Sequence, residues 1–239
     1  MLSLMGPECD CRKTVDELDP SSRSILEEEA NWPWVWVLRD PKIMNPMPEM
    51  TDDEKDKMMH DQKVALVEIL PHLFISSFKV AADFERLKER GITHVLNCAG
   101  KGARAQGAKE AGFTYKEIDG QDGDGYAMLQ HHLRDSRKFV ASASATSGKC
   151  LIYCGVGFNR SGVLVAAERM LALREPVLDT VRHCREARGT RFLCNASFQA
   201  DLVALARREG LLGAAPGQPG CRVRETPGPF VSDKKPPRP

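Results

Sequence analysis

The sequence predicts an α/β domain built on a central, mostly parallel sheet of four to five strands flanked by helices. Two observations carry this prediction. From about residue 66 to residue 209, short apolar runs alternate with helix-length segments, an order that implies parallel strands with helices on the sheet faces. The strand-sized run Cys150-Leu151-Ile152-Tyr153-Cys154 passes through a glycine-containing loop straight into an apolar helix. The composition, 42% hydrophobic and 28% charged over 239 residues, suits one globular domain with extensions.

Leu66–Leu70 and Leu73–Ile75 read as short strands around Pro71-His72. Residues 80–90 read as one helix, with Val80, Phe84 and Leu87 on one face and Gly91 as its stop. Ile92–Cys98 and Phe113–Ile118 are strands, the second with apolar and polar residues nearly alternating. Leu129, Leu133 and Val140 mark a long helix reaching about Ser147. The strand Lys149–Tyr153 follows, then helices over about 161–174, 176–188 and 195–209. This organisation gives a domain over 63–210, an N-terminal extension over 1–62 that is partly disordered, and a disordered, basic Pro/Gly-rich tail over 211–239. Within the extension, Trp32-Pro33-Trp34-Val35-Trp36-Val37 holds all three tryptophans. It reads either as a segment folded back over an apolar groove, the favoured reading, or as a docking element for a partner.

A net charge of +1 gives no global field for nucleic acid, and no apolar run approaches the roughly 20 residues of a membrane span. The first residues lack the apolar core of a signal peptide, and neither end carries a lipidation motif, so neither secretion nor lipid anchoring is expected. Eight cysteines scattered through apolar patterns fit a reducing compartment, so the cytoplasm is the expected location, with the nucleus also open. Cys9 and Cys11 lack a second pair at zinc-site spacing, and no metal or organic cofactor is expected.

The chemistry concentrates at Cys154-Gly155-Val156-Gly157-Phe158-Asn159-Arg160-Ser161. A loop between strand and helix can turn successive backbone N–H groups inward as an anion nest, and the helix N-terminus adds its positive dipole end. Gly155 and Gly157 allow the tight curl. Positive potential at the start of the loop favours the Cys154 thiolate, a nucleophile able to attack phosphorus. The planar fork of Arg160 suits two phosphate oxygens. Ser161 can hydrogen-bond the sulfur and ease its departure. Spacing alone decides nothing, because a second Cys-x5-Arg runs from Cys98 to Arg104. That one has no Ser or Thr after its Arg and no long apolar helix behind it.

The segment from about Val64 to Glu209 resembles a dual-specificity phosphatase domain of the cysteine-dependent tyrosine phosphatase superfamily. The resemblance rests on Glu68–Ser77, Gly91–Asn97, the loop Cys154–Ser161 and Asn195–Leu202, in that order. It implies a phosphotyrosine phosphatase-like fold and hydrolysis of phosphomonoesters through a phosphocysteine on Cys154. Arg160 and the backbone of residues 155–159 would bind the phosphate. The resemblance also implies a general acid in the loop after the strand 113–118; Asp122 fits best, with Asp119 and Asp124 as alternatives. The default substrate is phosphoprotein, on Tyr, Ser or Thr. The pattern departs at Tyr153, where the family's signature has His. Tyr can donate a hydrogen bond but carries no positive charge near neutral pH, so a less stabilised thiolate and weak turnover are expected. A phosphate-binding module with little turnover and a rhodanese-like sulfurtransferase are the alternatives. Cys98, at the end of a strand, is either a buried apolar cysteine or a redox partner of Cys154.

Overall fold

A computed structural model describes residues 20–44, 50–123 and 125–226. Cys9, Cys11, Asp124 and the last basic residues of the tail lie outside the described residues. The strands are β1 (Val67–Leu70), β2 (Leu73–Ser77), β3 (Ile92–Asn97), β4 (Thr114–Glu117) and β5 (Lys149–Cys154). They form one sheet in the order β1-β2-β5-β3-β4. Only β1, joined to β2 through the tight Pro71-His72 turn, runs antiparallel; β2, β5, β3 and β4 are mutually parallel.

Central placement explains why β5 is apolar and buried from Cys150 onward, since helices cover both of its faces. Cys150, Ile152 and Cys154 face the larger core layer, while Leu151 and Tyr153 face the smaller one. The larger layer is closed by α6 (Met128–Ala145), α7 (Arg160–Leu173), α8 (Val177–Arg188) and α9 (Ala196–Arg208). The smaller is covered by α4 (Phe78–Ala81) and α5 (Phe84–Glu89), together with Phe113 and the segment 103–108. The single helix expected over 80–90 is therefore two. The Asp83 carboxylate accepts a hydrogen bond from Arg86 N at 3.3 Å and starts a new helix where the first one ends.

The N-terminal extension is also structured where it is described. It forms α1 (Pro20–Arg39), α2 (Pro41–Met44) and α3 (Asp52–Lys63). The tryptophan segment lies in α1, which packs against α9, with Val35, Val37 and Leu38 buried in the larger core. Trp32, Trp34 and Trp36 are half-buried against that core. The carbonyl of Leu38 accepts hydrogen bonds from Arg185 Nη2 at 2.9 Å and Gln199 Nε2 at 3.2 Å. Sequence periodicity missed this helix because Pro33 interrupts it and apolar residues crowd 34–38 instead of recurring at helical spacing.

Disorder from Leu211 onward does not hold for residues 211–226. Leu211, Cys221 and Val223 are buried in the core, and Leu211 O accepts a hydrogen bond from Val177 N at 2.9 Å. With Pro216, also buried, these three residues are the apolar anchors of this Gly/Pro-rich segment. Among the described residues no helix is long and apolar enough to cross a membrane.

If α1 is integral to the core, Leu38→Ala should destabilise the protein by about 2–5 kcal/mol, the usual cost of a large-to-small change at a buried site. Urea unfolding measures it. An unchanged midpoint would mean α1 is only loosely attached.

Candidate active site

The loop that leaves β5 at Cys154 enters α7 at Arg160. Its carbonyls are held from outside. Gly155 O accepts from Phe78 N at 3.2 Å, Val156 O from Arg188 Nη2 at 3.0 Å, and Phe158 O from Leu193 N at 3.0 Å. Asn159 O takes the first bond of α7, from Val163 N at 2.8 Å. A trans peptide points its C=O and N–H in opposite directions, so carbonyls pinned outward turn the following N–H groups into the loop. Gly157 N accordingly lies 3.3 Å from Cys154 Sγ. Of the two loop glycines, Gly157 is the one that geometry demands. Its φ is +80°, and a Cβ there would fall 2.3 Å from Ser76 O. Gly155 has ordinary φ, and a Cβ on it would find nothing closer than Arg160 Nη2 at 3.6 Å.

The Cys154 thiol is buried and held well below the ordinary thiol pKa. The largest cause is hydrogen bonding from Cys98. Burial opposes it, and the Ser161 hydroxyl, the Ser161 backbone N–H and the Arg160 charge reinforce it. Ser161 Oγ is 3.3 Å from the sulfur. The Cys98 thiol has a second acceptor in reach, Tyr153 O at 2.9 Å. The thiolate, carrying charge, is the stronger claimant for that single proton. Burial and the neighbouring thiolate push Cys98 itself well up, so it is the protonated donor of the pair.

A cavity of about 600 Å³ opens over this loop, lined by Cys154, Val156, Arg160 and Asp122, with Lys63 and Arg191 also on its wall. Arg160 Nη1 is 3.4 Å from Gly120 O, and its buried Nε has no hydrogen-bond partner among the described residues. The structure separates the two candidate acids that it describes, Asp122 and Asp119. Asp122 stands on the cavity wall, accepting from Asn195 Nδ2 at 3.1 Å and lying 3.8 Å from Arg160 Nε. Asp119 instead packs on the backbone of Gly100, where a Cβ would come within 2.3 Å of its Oδ1. Asn159 joins the two walls. Its Oδ1 accepts from Cys194 N and Asn195 N at 3.0 and 3.1 Å, and its Nδ2 is 3.5 Å from Asp122 Oδ2.

Tyr153 points to the opposite face of the sheet from Cys154, and its hydroxyl gives residues 155–160 no hydrogen bond. Its hydroxyl donates to Ala103 O at 2.8 Å, accepts from Ala105 N at 3.1 Å, and lies 3.1 Å from Tyr115 Oη. The second Cys-x5-Arg does not form a site. Arg104 pairs with both oxygens of Glu117, at 2.7 and 2.9 Å, and so turns away from Cys98.

A family model described as the catalytic domain of dual specificity phosphatases matches residues 73–208. The chain belongs to the dual specificity phosphatase family. It is similar to dual specificity protein phosphatase 26 of Pongo abelii, 30% identical over 196 residues that cover 79% of this chain and 87% of that one. The Homo sapiens protein of the same name is 30% identical, over 70% of this chain and 80% of its own. Among solved structures, the human tyrosine phosphatase-like serine/threonine/tyrosine-interacting protein aligns with a TM-score of 0.54 at 22% identity. That alignment covers 60% of this chain and 96% of the other, and it speaks to the fold. Family membership makes this a cysteine-dependent protein phosphatase, a hydrolase acting on phosphoproteins, and sets aside the sulfurtransferase alternative.

Sequence reasoning missed Arg188, Lys63 and Arg191. A signal for Arg188 existed. Val177, Val181, Cys184, Arg185 and Arg188 share one face of α8, so two arginines sit on its buried stripe. Lys63 and Arg191 left no signal, because their position at the cavity depends on how α3 and the 189–195 segment dock.

A depressed pKa keeps the thiolate populated as pH falls from neutral, until the pH passes below that pKa. Iodoacetamide alkylation of Cys154, followed by peptide mass spectrometry, should therefore stay fast at mildly acidic pH. Cys98→Ala removes the donor and should move the alkylation midpoint upward, while Cys98→Ser, which keeps a donor, should move it less. Identical midpoints in all three proteins would remove Cys98 from the account.

Proposed function

We propose that Cys154 is the nucleophile of this dual specificity phosphatase and forms a phosphocysteine intermediate. The thiolate attacks phosphorus; Asp122 protonates the leaving oxygen and then assists the water that hydrolyses the intermediate. Arg160 and the N–H groups of residues 155–160 hold the three non-bridging oxygens, and Ser161 stabilises the sulfur as it departs. The observation that carries this reading is the outward anchoring of the loop carbonyls around a buried, low-pKa thiol. The substrate is a phosphorylated Tyr, Ser or Thr side chain of a protein. Val156, 45% exposed on the loop, offers an apolar contact, and the loop interior has no base to favour a polyanionic headgroup. The working location is the cytoplasm, with the nucleus open, because a thiolate nucleophile must stay reduced. We read the tryptophan segment as an internal brace and not a docking element, since its three indoles are half-buried on the core.

Hydrolysis of a small aryl phosphate tests the mechanism. Cys154→Ser should lower turnover by several orders of magnitude and Asp122→Ala about 100-fold, with Asp119→Ala and Cys98→Ser near wild type. A wild type that binds vanadate but turns nothing over would instead favour the weak phosphate-binding module, with Tyr153→His as the next variant.

A second reading concerns Cys98. It follows Asn97, which pairs in register with Tyr153, and both thiols face the same core layer. Adjacent strands spaced about 4.8 Å apart meet the Cα separation a disulfide requires. Hydrogen peroxide would convert the Cys154 thiolate to a sulfenic acid, releasing hydroxide. The Cys98 sulfur would then displace water to form the disulfide, shielding Cys154 from further oxidation. Peptide mapping after mild peroxide should find the Cys98–Cys154 linkage. Its absence, with Cys154 oxidised to sulfinic acid, overturns the idea.

A further inference from the structure

Arg188 is 1% exposed and lies behind the phosphate loop. Nη2 donates to Val156 O at 3.0 Å and Nη1 to the carbonyl of Gln62. The guanidinium carbon lies 4.8 Å over the Phe158 ring, a cation–π contact. Between these two residues, a Cβ on Gly157 would come within 2.9 Å of Nη2. One buried arginine thus touches three successive residues of the loop. Its other arm reaches the last turn of α3, a helix outside residues 73–208.

The grip on Val156 O has a geometric consequence. Val156 C=O and Gly157 N–H belong to one planar trans peptide, so pulling the oxygen toward Arg188 aims the N–H the other way, where Cys154 Sγ stands 3.3 Å off. We propose that Arg188 is a positioning residue of the phosphatase reaction: it locks the Val156–Gly157 peptide so that Gly157 N–H faces the thiolate, and α3 supplies the carbonyl that fixes its other arm. The idea rests on Cys154 being the nucleophile.

The electrostatics agree. Burial pulls Arg188 down to about 10, still charged at neutral pH, and the Cys154 thiolate is the group that pushes it back up. No carboxylate pairs with it among the described residues, and its buried Nε makes no hydrogen bond there. The cation therefore has two carbonyls, Val156 O and Gln62 O, and the Phe158 ring as its partners, and feels the thiolate charge across the Val156–Gly157 peptide. A planar fork can hold two carbonyls in different directions at once; a lysine ammonium reaches one of them and gives no planar face to Phe158.

The test uses the full chain with Arg188→Lys and Arg188→Met, and with Arg169→Met as a control for burial. Arg169 is 8% exposed on α7 and bonds Ile69 O and the Glu175 carboxylate, with no bond to the loop or to the groups that hold its carbonyls. Urea unfolding first establishes that each variant is folded; Arg188→Lys is the fallback if the methionine variant is not. Peptide-resolved alkylation of Cys154 against pH then reads the thiolate without turnover, so its outcome is separate from whether Cys154 hydrolyses phosphoesters. Expected are a midpoint raised by about one pH unit in Arg188→Lys, more in Arg188→Met, and a roughly tenfold or greater fall in kcat for aryl phosphate with little change in KM. Arg169→Met should lose stability with the wild-type midpoint. A wild-type midpoint and kcat in folded Arg188 variants overturns the proposal. So does an equal midpoint shift in Arg169→Met, since the loss of any buried arginine would then suffice.

Discussion

Everything at this site depends on the direction of four carbonyl groups. A loop can cradle an anion with its N–H groups only if each paired oxygen has a partner elsewhere, because a buried carbonyl left without one is costly. Here the partners come from separate parts of the chain. Phe78 N follows β2, Arg188 closes α8, Leu193 N lies in the segment before α9, and Val163 N belongs to α7. Leu193 even takes a left-handed φ of 57° at that point. The sheet, with β5 between β2 and β3, brings the first of these donors to the loop, and the helices packed on one face bring the others.

The alternation of side chains along β5 explains how the site manages with Tyr153. Cys154 faces the helices, so its neighbour must face the other layer. There the phenol is bonded to Ala103, Ala105 and Tyr115, next to the Arg104–Glu117 pair. It fixes the segment after β3 and leaves the thiolate to other groups. Stabilisation of that thiolate instead comes from hydrogen bonds of Cys98 and Ser161 and from the Arg160 charge. The weak thiolate inferred from an uncharged Tyr153 thus considered only one of the groups that act on the sulfur.

What the sequence made legible follows the range of each interaction. The five strands, the helices from 128 onward and the loop Cys154–Ser161 could be read from local pattern. Periodicity and the strand–loop–helix order are short-range signals. The N-terminal helices were missed because α1 owes its form to burial against α9. The start of α3 is written locally, as Thr51 and Glu54 form a reciprocal capping box, yet the acidic residues around it read as a solvated stretch. The break between α4 and α5 turned on one aspartate inside an otherwise regular apolar pattern. Which of Asp119 and Asp122 faces the cavity was beyond local reading, since it depends on contacts with Gly100 and Asn195.

The end of α3 shows why the working unit is larger than the matched family domain. A helix leaves its last carbonyls without intrahelical donors. At α3 the domain supplies them: Arg188 takes Gln62 O, Ser77 Oγ donates to Lys63 O at 2.6 Å, and Arg86 Nη1 to Val64 O at 3.0 Å. Each of these donors would be left short if α3 were displaced, and for the buried Arg188 an unmet donor costs about 1–3 kcal/mol. The same docking sets Lys63 on the cavity wall and closes the far side of the arginine that holds Val156 O. A shift at the end of α3 therefore reaches the loop through Arg188, whose two arms α3 and the loop share, and through Ser77, next to the Phe78 N–H that holds Gly155 O.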